Sequence, residues 1–108
     1  MKEIQLQCPV QVVEILSEAI LFYTDAAFPS GGSECAQSAR EALQNAAHNL
    51  RDSYDSNTGI ARMSRRLRSH VNSAIDYYAE QHALKQDQQQ MLKSLLSGKG
   101  ITPEQWQS

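Results

Sequence analysis

Cysteine is scarce in this chain: 26 residues separate Cys8 from Cys35, with no further cysteine or histidine at ligand spacing. That excludes a CxxC redox motif and a zinc knuckle, and it reads as two reduced thiols of a cytoplasmic protein. Long apolar runs are also missing. The longest, Ala19-Ile20-Leu21-Phe22-Tyr23, lies between Glu18 and Asp25, far short of the roughly 20 residues that a spanning helix needs. Lys2 is followed at once by Glu3, so the basic-then-apolar-then-small order of a secretory signal is not there either. Charge of one sign is lacking: 10 basic and 12 acidic side chains leave a net charge of -2, and the chain as a whole has no field that would gather nucleic acid or anionic lipid. No Ser/His/Asp or Cys/His constellation stands out. No Glu-x-x-His motif accompanies the i, i+4 carboxylates Asp76 and Glu80, so they read as a solvated face rather than a metal site.

What is present suits one globular domain over residues 1–108. The apolar share of 41 % can supply a core, and 20 % charged residues keep the chain clear of both disorder and membrane. Three glycine-bearing segments, at 28–33, 55–59 and 98–100, punctuate it, and the stretches between carry helical periodicity. The spacing predicts a first helix over about 9–27, with Pro9 at an early position and Val12, Leu16, Ala19, Ile20 and Tyr23 on one side. A second runs over about 34–54, with Ser33 as N-cap, Glu34 in the first turn and Leu43, Ala46, Ala47 and Leu50 inward. A third covers about 60–86, with Ile60, Met63, Leu67, Val71, Ala74, Ile75, Tyr78 and His82 aligned.

Beyond it a polar run, Lys85 to Gln90, precedes Met91, Leu92, Leu95 and Leu96. A fourth helix over 87–97 follows if Asp87 and Gln90 cap a new start. Thr102, Pro103 and Gln105 predict one more helical turn in the tail 98–108, carrying Trp106, the sole tryptophan. The expected fold is all-α: an antiparallel bundle of three long helices plus a short C-terminal one. Without a break near Asp87 the third helix would reach roughly 57 Å at the usual rise. Its last leucines would then need a second chain to cover them. Leu21, Phe22, Met91, Leu92, Leu95, Leu96 and Trp106 are therefore the candidate apolar surface for self-association or a partner, and a homodimer is expected.

Charge is unevenly spread. Residues 1–55 hold three basic and eight acidic side chains, whereas 56–70 hold Arg62, Arg65, Arg66 and Arg68 and no acid. Drawn on a helical wheel, Arg66, His70, Ser73 and Tyr77 follow one another along an edge. Arginines at a helix N-terminus oppose the dipole by about 0.3–1 kcal/mol each, so something must compensate them. Asp52 and Asp55 are the structural candidates; an acidic protein partner or a phosphate backbone are the functional ones. Helix-turn-helix binding fits poorly, because the second helix is long and the usual Asn or Gln readers are missing. The Ser30–Ser33 turn lacks the lysine and spacing of a phosphate loop, and His48, His70 and His82 share no ligand geometry. No cofactor, metal or catalytic residue is expected. The sequence thus points to a non-enzymatic helical protein-binding module: an adaptor, a chaperone-like subunit or an inhibitor of the kind carried by phages and plasmids. It would act through Arg62, Arg65, Arg66, Arg68, His70 and Tyr77 and the apolar C-terminal helix. The competing expectation is a nucleic-acid-binding regulator that uses the Arg62–Arg68 cluster in a dimer.

Overall fold

The computed structural model describes residues 2–107, so Met1 and Ser108, the ends of the expected domain and tail, lie outside the described residues. The chain is mostly helical, but a strand opens it. β1 (Glu3–Gln7) alternates exposed Glu3, Gln5 and Gln7 with buried Ile4 and Leu6, the period-2 signature of a strand with one buried face. Pro9 then caps α1 (Val10–Ala27), and α2 (Glu34–Ser53) follows with the Ser33 hydroxyl accepting from the Ala36 N–H. The third expected helix does not begin at residue 60. Ile60–Ser64 form β2, antiparallel to β1 with Gln5 opposite Arg62; Arg65–Leu67 make a 3-10 turn, and α3 covers only Arg68–His82. The expectation of an all-α chain with residues 60–86 in one helix is corrected accordingly. Ala61 and Met63 point inward and Arg62 outward, so strand pairing with β1 overrides the helical spacing of Ile60, Met63 and Leu67.

Two local features set these boundaries. In the turn before β2, the Asp55 carboxylate accepts from the Asn57 N–H (2.8 Å), and Gly59 adopts φ 71°, which a side chain would disfavour. After α3, Ala83 turns left-handed (φ 53°), and the Leu84 N–H reaches back to the Ala79 carbonyl. α4 (Gln86–Leu96) then folds back along α3, with Asp87 in its first turn and the Lys85 N–H donating to Gln88 Oε1. α5 (Pro103–Gln107) starts on a reciprocal cap, Thr102 Oγ1 accepting from the Gln105 N–H and Gln105 Oε1 from the Thr102 N–H.

This reversal answers the question of cover. Leu92, Leu95 and Leu96 are buried together with Leu6, Leu16, Ile20, Leu50, Val71 and Ile75, and Trp106 closes the same core. Each fully buried Leu or Ile contributes about 1.5–3 kcal/mol. The outward apolar face expected of Leu92, Leu95, Leu96 and Trp106 does not form, because the chain's own sheet and helices cover them; Met91 is only partly buried at the margin. Among the described residues no helix is long and apolar enough to cross a membrane.

Where α4 meets α3, Asp76 accepts from Lys93 Nζ (2.9 and 3.0 Å) and from Gln89 Nε2 (2.8 Å). The Lys93 bond lowers the Asp76 carboxyl below its ordinary value, against a smaller effect of burial. A carboxyl lowered by folding stabilises the fold above its unfolded pKa, and that contribution fades as pH falls through the folded value. Asp76→Asn is therefore expected to be less stable than the wild type at neutral pH, within the about 0–1 kcal/mol of exposed pairs. The gap should close in acid; urea titrations at neutral pH and near pH 2 check this, and a gap that persists in acid would refute it.

Candidate protein-binding surface

The Phe and Tyr residues lie at the margin of the core rather than inside it. Of the two Phe and four Tyr side chains, none is buried, and Trp106 is the one aromatic among the buried hydrophobics of the described residues. All of them except Tyr54 gather where the C-terminal half of α1 crosses α3, joined by two histidines. His82 stacks on Tyr78 (centroids 4.4 Å, 26°) and meets Phe22 edge-on (4.7 Å, 71°). Phe22 stacks on Tyr77 (5.3 Å, 28°), Tyr77 leans on Tyr23 (6.2 Å), Tyr23 on Phe28 (6.3 Å) and Phe28 on His70 (6.0 Å). The result is a continuous rib of seven rings, Phe22 being 37 % exposed and His82 likewise exposed. Such ring pairs add about 0.5–1.5 kcal/mol each beyond area burial, which favours the arrangement seen.

Polar groups fix both ends. The Tyr78 hydroxyl donates to Glu18 Oε2 (3.0 Å), and burial followed by this bond holds the phenol above its ordinary pKa. At the other end Arg40 donates to the Phe28 carbonyl (2.9 Å) and pairs with Asp25 (3.0 Å), which pins the residue that carries the last phenyl ring. Helical geometry explains the placement: Tyr77 and His70 are two turns apart on α3 and Tyr78 and His82 one turn apart, facing Phe22 and Tyr23 of α1.

The arginines do not form the expected helical stripe, and Arg62 lines a groove with Glu3, Asn45 and Asn49, away from the rings. Arg62 projects from the outer face of β2, Arg65 and Arg66 lie in the 3-10 turn, and Arg68 is the first residue of α3; all four are exposed. Among the described residues the only ion pairs are Arg40–Asp25 and Lys93–Asp76, so Asp52 and Asp55 do not compensate this cluster. Asp55 turns its carboxylate to its own loop instead. The first turn of α3 holds no acid and its N-cap, Leu67, offers no side-chain acceptor; the dipole conflict remains unrelieved.

Of the sequence-derived apolar candidates, Phe22 and half-buried Leu21 stay near the surface, and Phe22 joins Tyr77 and His70 in one feature. Tyr23, Phe28, Tyr78 and His82 were not among the candidates. Tyr23, Tyr78 and His82 share the spacing of core positions; Tyr78 and His82 fall in the last turns of α3, and Tyr23 lies near the C-terminal end of α1.

Elsewhere the chemistry is sparse. An open groove of about 530 Å³ is walled by Cys8, Tyr54, residues 56–59 and residues 100–103, and another of about 490 Å³ by Val10, Glu14, Glu18, Arg51 and Tyr54. Among the described residues no three His, Cys, Asp or Glu side chains gather as metal ligands. Burial pushes the Cys8 thiol up to about 11, whereas Cys35 is exposed. Iodoacetamide near pH 8 should therefore label Cys35 readily and Cys8 only after unfolding, because the thiolate is the nucleophile; equal labelling in the folded protein would contradict the burial. Compared with protein-family models, curated proteins and solved structures, the chain matches none.

Proposed function

We propose that this chain is a non-enzymatic protein-binding module whose contact face is the aromatic rib, with Arg66 and Arg68 beside it selecting an acidic partner segment. The observation that carries this reading is the partition of the aromatics: a core that is aliphatic except for Trp106, with every Phe and Tyr but Tyr54 gathered in one ring cluster at its margin. Tyr, Phe and Arg are enriched at protein interfaces: the aromatics bury large area at low entropic cost, and Arg adds charge-assisted hydrogen bonds. Rings that already contact one another lose less freedom on binding than isolated ones would. The uncompensated arginines add the sign of the partner, because carboxylates brought near them relieve the conflict with the α3 dipole. Surface association needs no metal or cofactor.

A second reading rests on the same arginines: four exposed guanidinium groups close together in sequence, on a chain that also presents stackable rings, suit a nucleic-acid strand. Quantitative capture from native extract tests both, comparing the wild type with Phe22→Ala/Tyr77→Ala. The proposal expects a protein that the wild type retains and the double variant loses. Equal capture by both would refute it. Binding to nucleic acid with affinity that falls steeply as salt rises, in step with the number of phosphates neutralised, would favour the second reading.

A further inference from the structure

The two edges of the small sheet are unlike. The Lys2 carbonyl accepts from the Arg65 N–H (3.2 Å) and the Gly59 carbonyl from the Cys8 N–H (2.9 Å). With the register of Ile4 opposite Met63, this fixes the alternation: Ile4 and Leu6 bond across to β2, whereas the backbone groups of Glu3, Gln5 and Gln7 point to the outer edge. The outer edge of β2 is occupied, since Ser53 Oγ accepts from the Arg62 N–H (2.9 Å) and the Asp55 N–H donates to the Ile60 carbonyl (3.0 Å). Among the described residues the outer edge of β1 takes part in one hydrogen bond, where the Ile101 N–H donates to the Gln7 carbonyl (2.8 Å), while α4 packs against the same strand. The close pass of Gly100 over that carbonyl, 3.2 Å from where a Cβ would stand, makes room for it. Glu3 and Gln5 face outward with no partner among the described residues.

We infer that β1 pairs with β1 of a second copy of this chain, antiparallel about a two-fold axis at Ile4, to form a four-stranded sheet across a homodimer. The register follows by elimination. An axis at Gln5 would need the Gln7 carbonyl, which Ile101 holds. An axis at Glu3 would set two carboxylates directly opposite, which is destabilising. An axis at Ile4 sets Glu3 of each copy opposite Gln5 of the other. They exchange both backbone groups, and Ile4 stands opposite Ile4 at the close, non-hydrogen-bonded spacing. Helices α2 and α4 pack against the sheet, but the unpaired backbone groups of Glu3 and Gln5 leave an edge that invites such addition. This inference rests on the strand edge and not on the aromatic rib.

Sedimentation velocity on the full chain, as concentration rises, should show the mass climbing from 12.1 kDa to twice that value. The Glu3 and Gln5 amides should exchange more slowly in the dimer. Gln5→Pro removes an N–H that the β1–β2 ladder does not use, so it should keep the helical circular dichroism and halve the mass. Phe22→Ala should stay dimeric. A single 12.1 kDa species at every concentration, a dimer that survives Gln5→Pro, or one lost with Phe22→Ala would overturn the inference. If Gln5→Pro unfolds, exchange in the wild type decides: free exchange at Glu3 and Gln5 in a dimer overturns it equally.

Discussion

Trp106→Ala is expected to cost the fold about 3–5 kcal/mol, the range for deleting a large aromatic from a packed core. Trp106 is 8 % exposed and belongs to the same cluster as Leu6, Leu92 and Leu96. It is placed there by a short helix with a complete cap at Thr102 and by the Ile101 N–H bond to the Gln7 carbonyl of β1. Removing the indole would leave a void lined by aliphatic side chains, with β1 and α4 unable to close around it without moving. Urea unfolding followed by circular dichroism measures the loss. In the wild type the same transition should shift Trp106 fluorescence from a buried to a hydrated emission. A midpoint unchanged by Trp106→Ala would mean that the C-terminal turn is not part of the core, and would return Trp106 to the surface as an anchor for another protein.

The second large effect concerns binding. Phe22 and Tyr77 form the stacked centre of the rib, with rings on either side. Truncating either to alanine is expected to weaken the captured complex by about 2 kcal/mol, roughly 30-fold in Kd, as for an aromatic hot spot. Calorimetric titration against the captured partner reads it. Tyr77→Phe keeps the stack and should retain most of the affinity. Arg66→Ala should act differently: it removes an exposed charge, so the association rate and its salt dependence should fall while the dissociation rate changes little. Alanine variants that fold normally and bind as the wild type does would place the contact elsewhere.

Much of this fold was legible in the sequence, and the misses have physical causes. α1 and α2 lie within a residue of where periodicity and the Ser33 cap put them. β1 was announced by the strict alternation Glu3-Ile4-Gln5-Leu6-Gln7 ahead of Pro9, a signal too short to weigh against long helical stretches. β2 was ambiguous in principle, since Ile60, Met63 and Leu67 fit a helix as well as Ala61 and Met63 fit a strand; only pairing with a segment some 60 residues earlier decides it. The reversal after α3 turns on Ala83 in a left-handed conformation that favours glycine, so no glycine marked it. That reversal sent the C-terminal leucines inward. The candidate site was half legible: Phe22, Tyr77 and His70 were singled out from helix faces and charge. Tyr23, Tyr78 and His82 carry the same three-and-four spacing as true core residues, and nothing local tells a rim ring from a buried one.

The most direct test of the rib is to record the aromatic proton resonances of the isotopically labelled chain as the captured partner is added. The account predicts that shifts concentrate on Phe22, Tyr23, Tyr77, Tyr78 and His82, with His70 and the arginine side chains following and Trp106 unmoved. Shifts centred on the groove beside Tyr54 or on the C-terminal turn, with those ring signals unchanged, would contradict it.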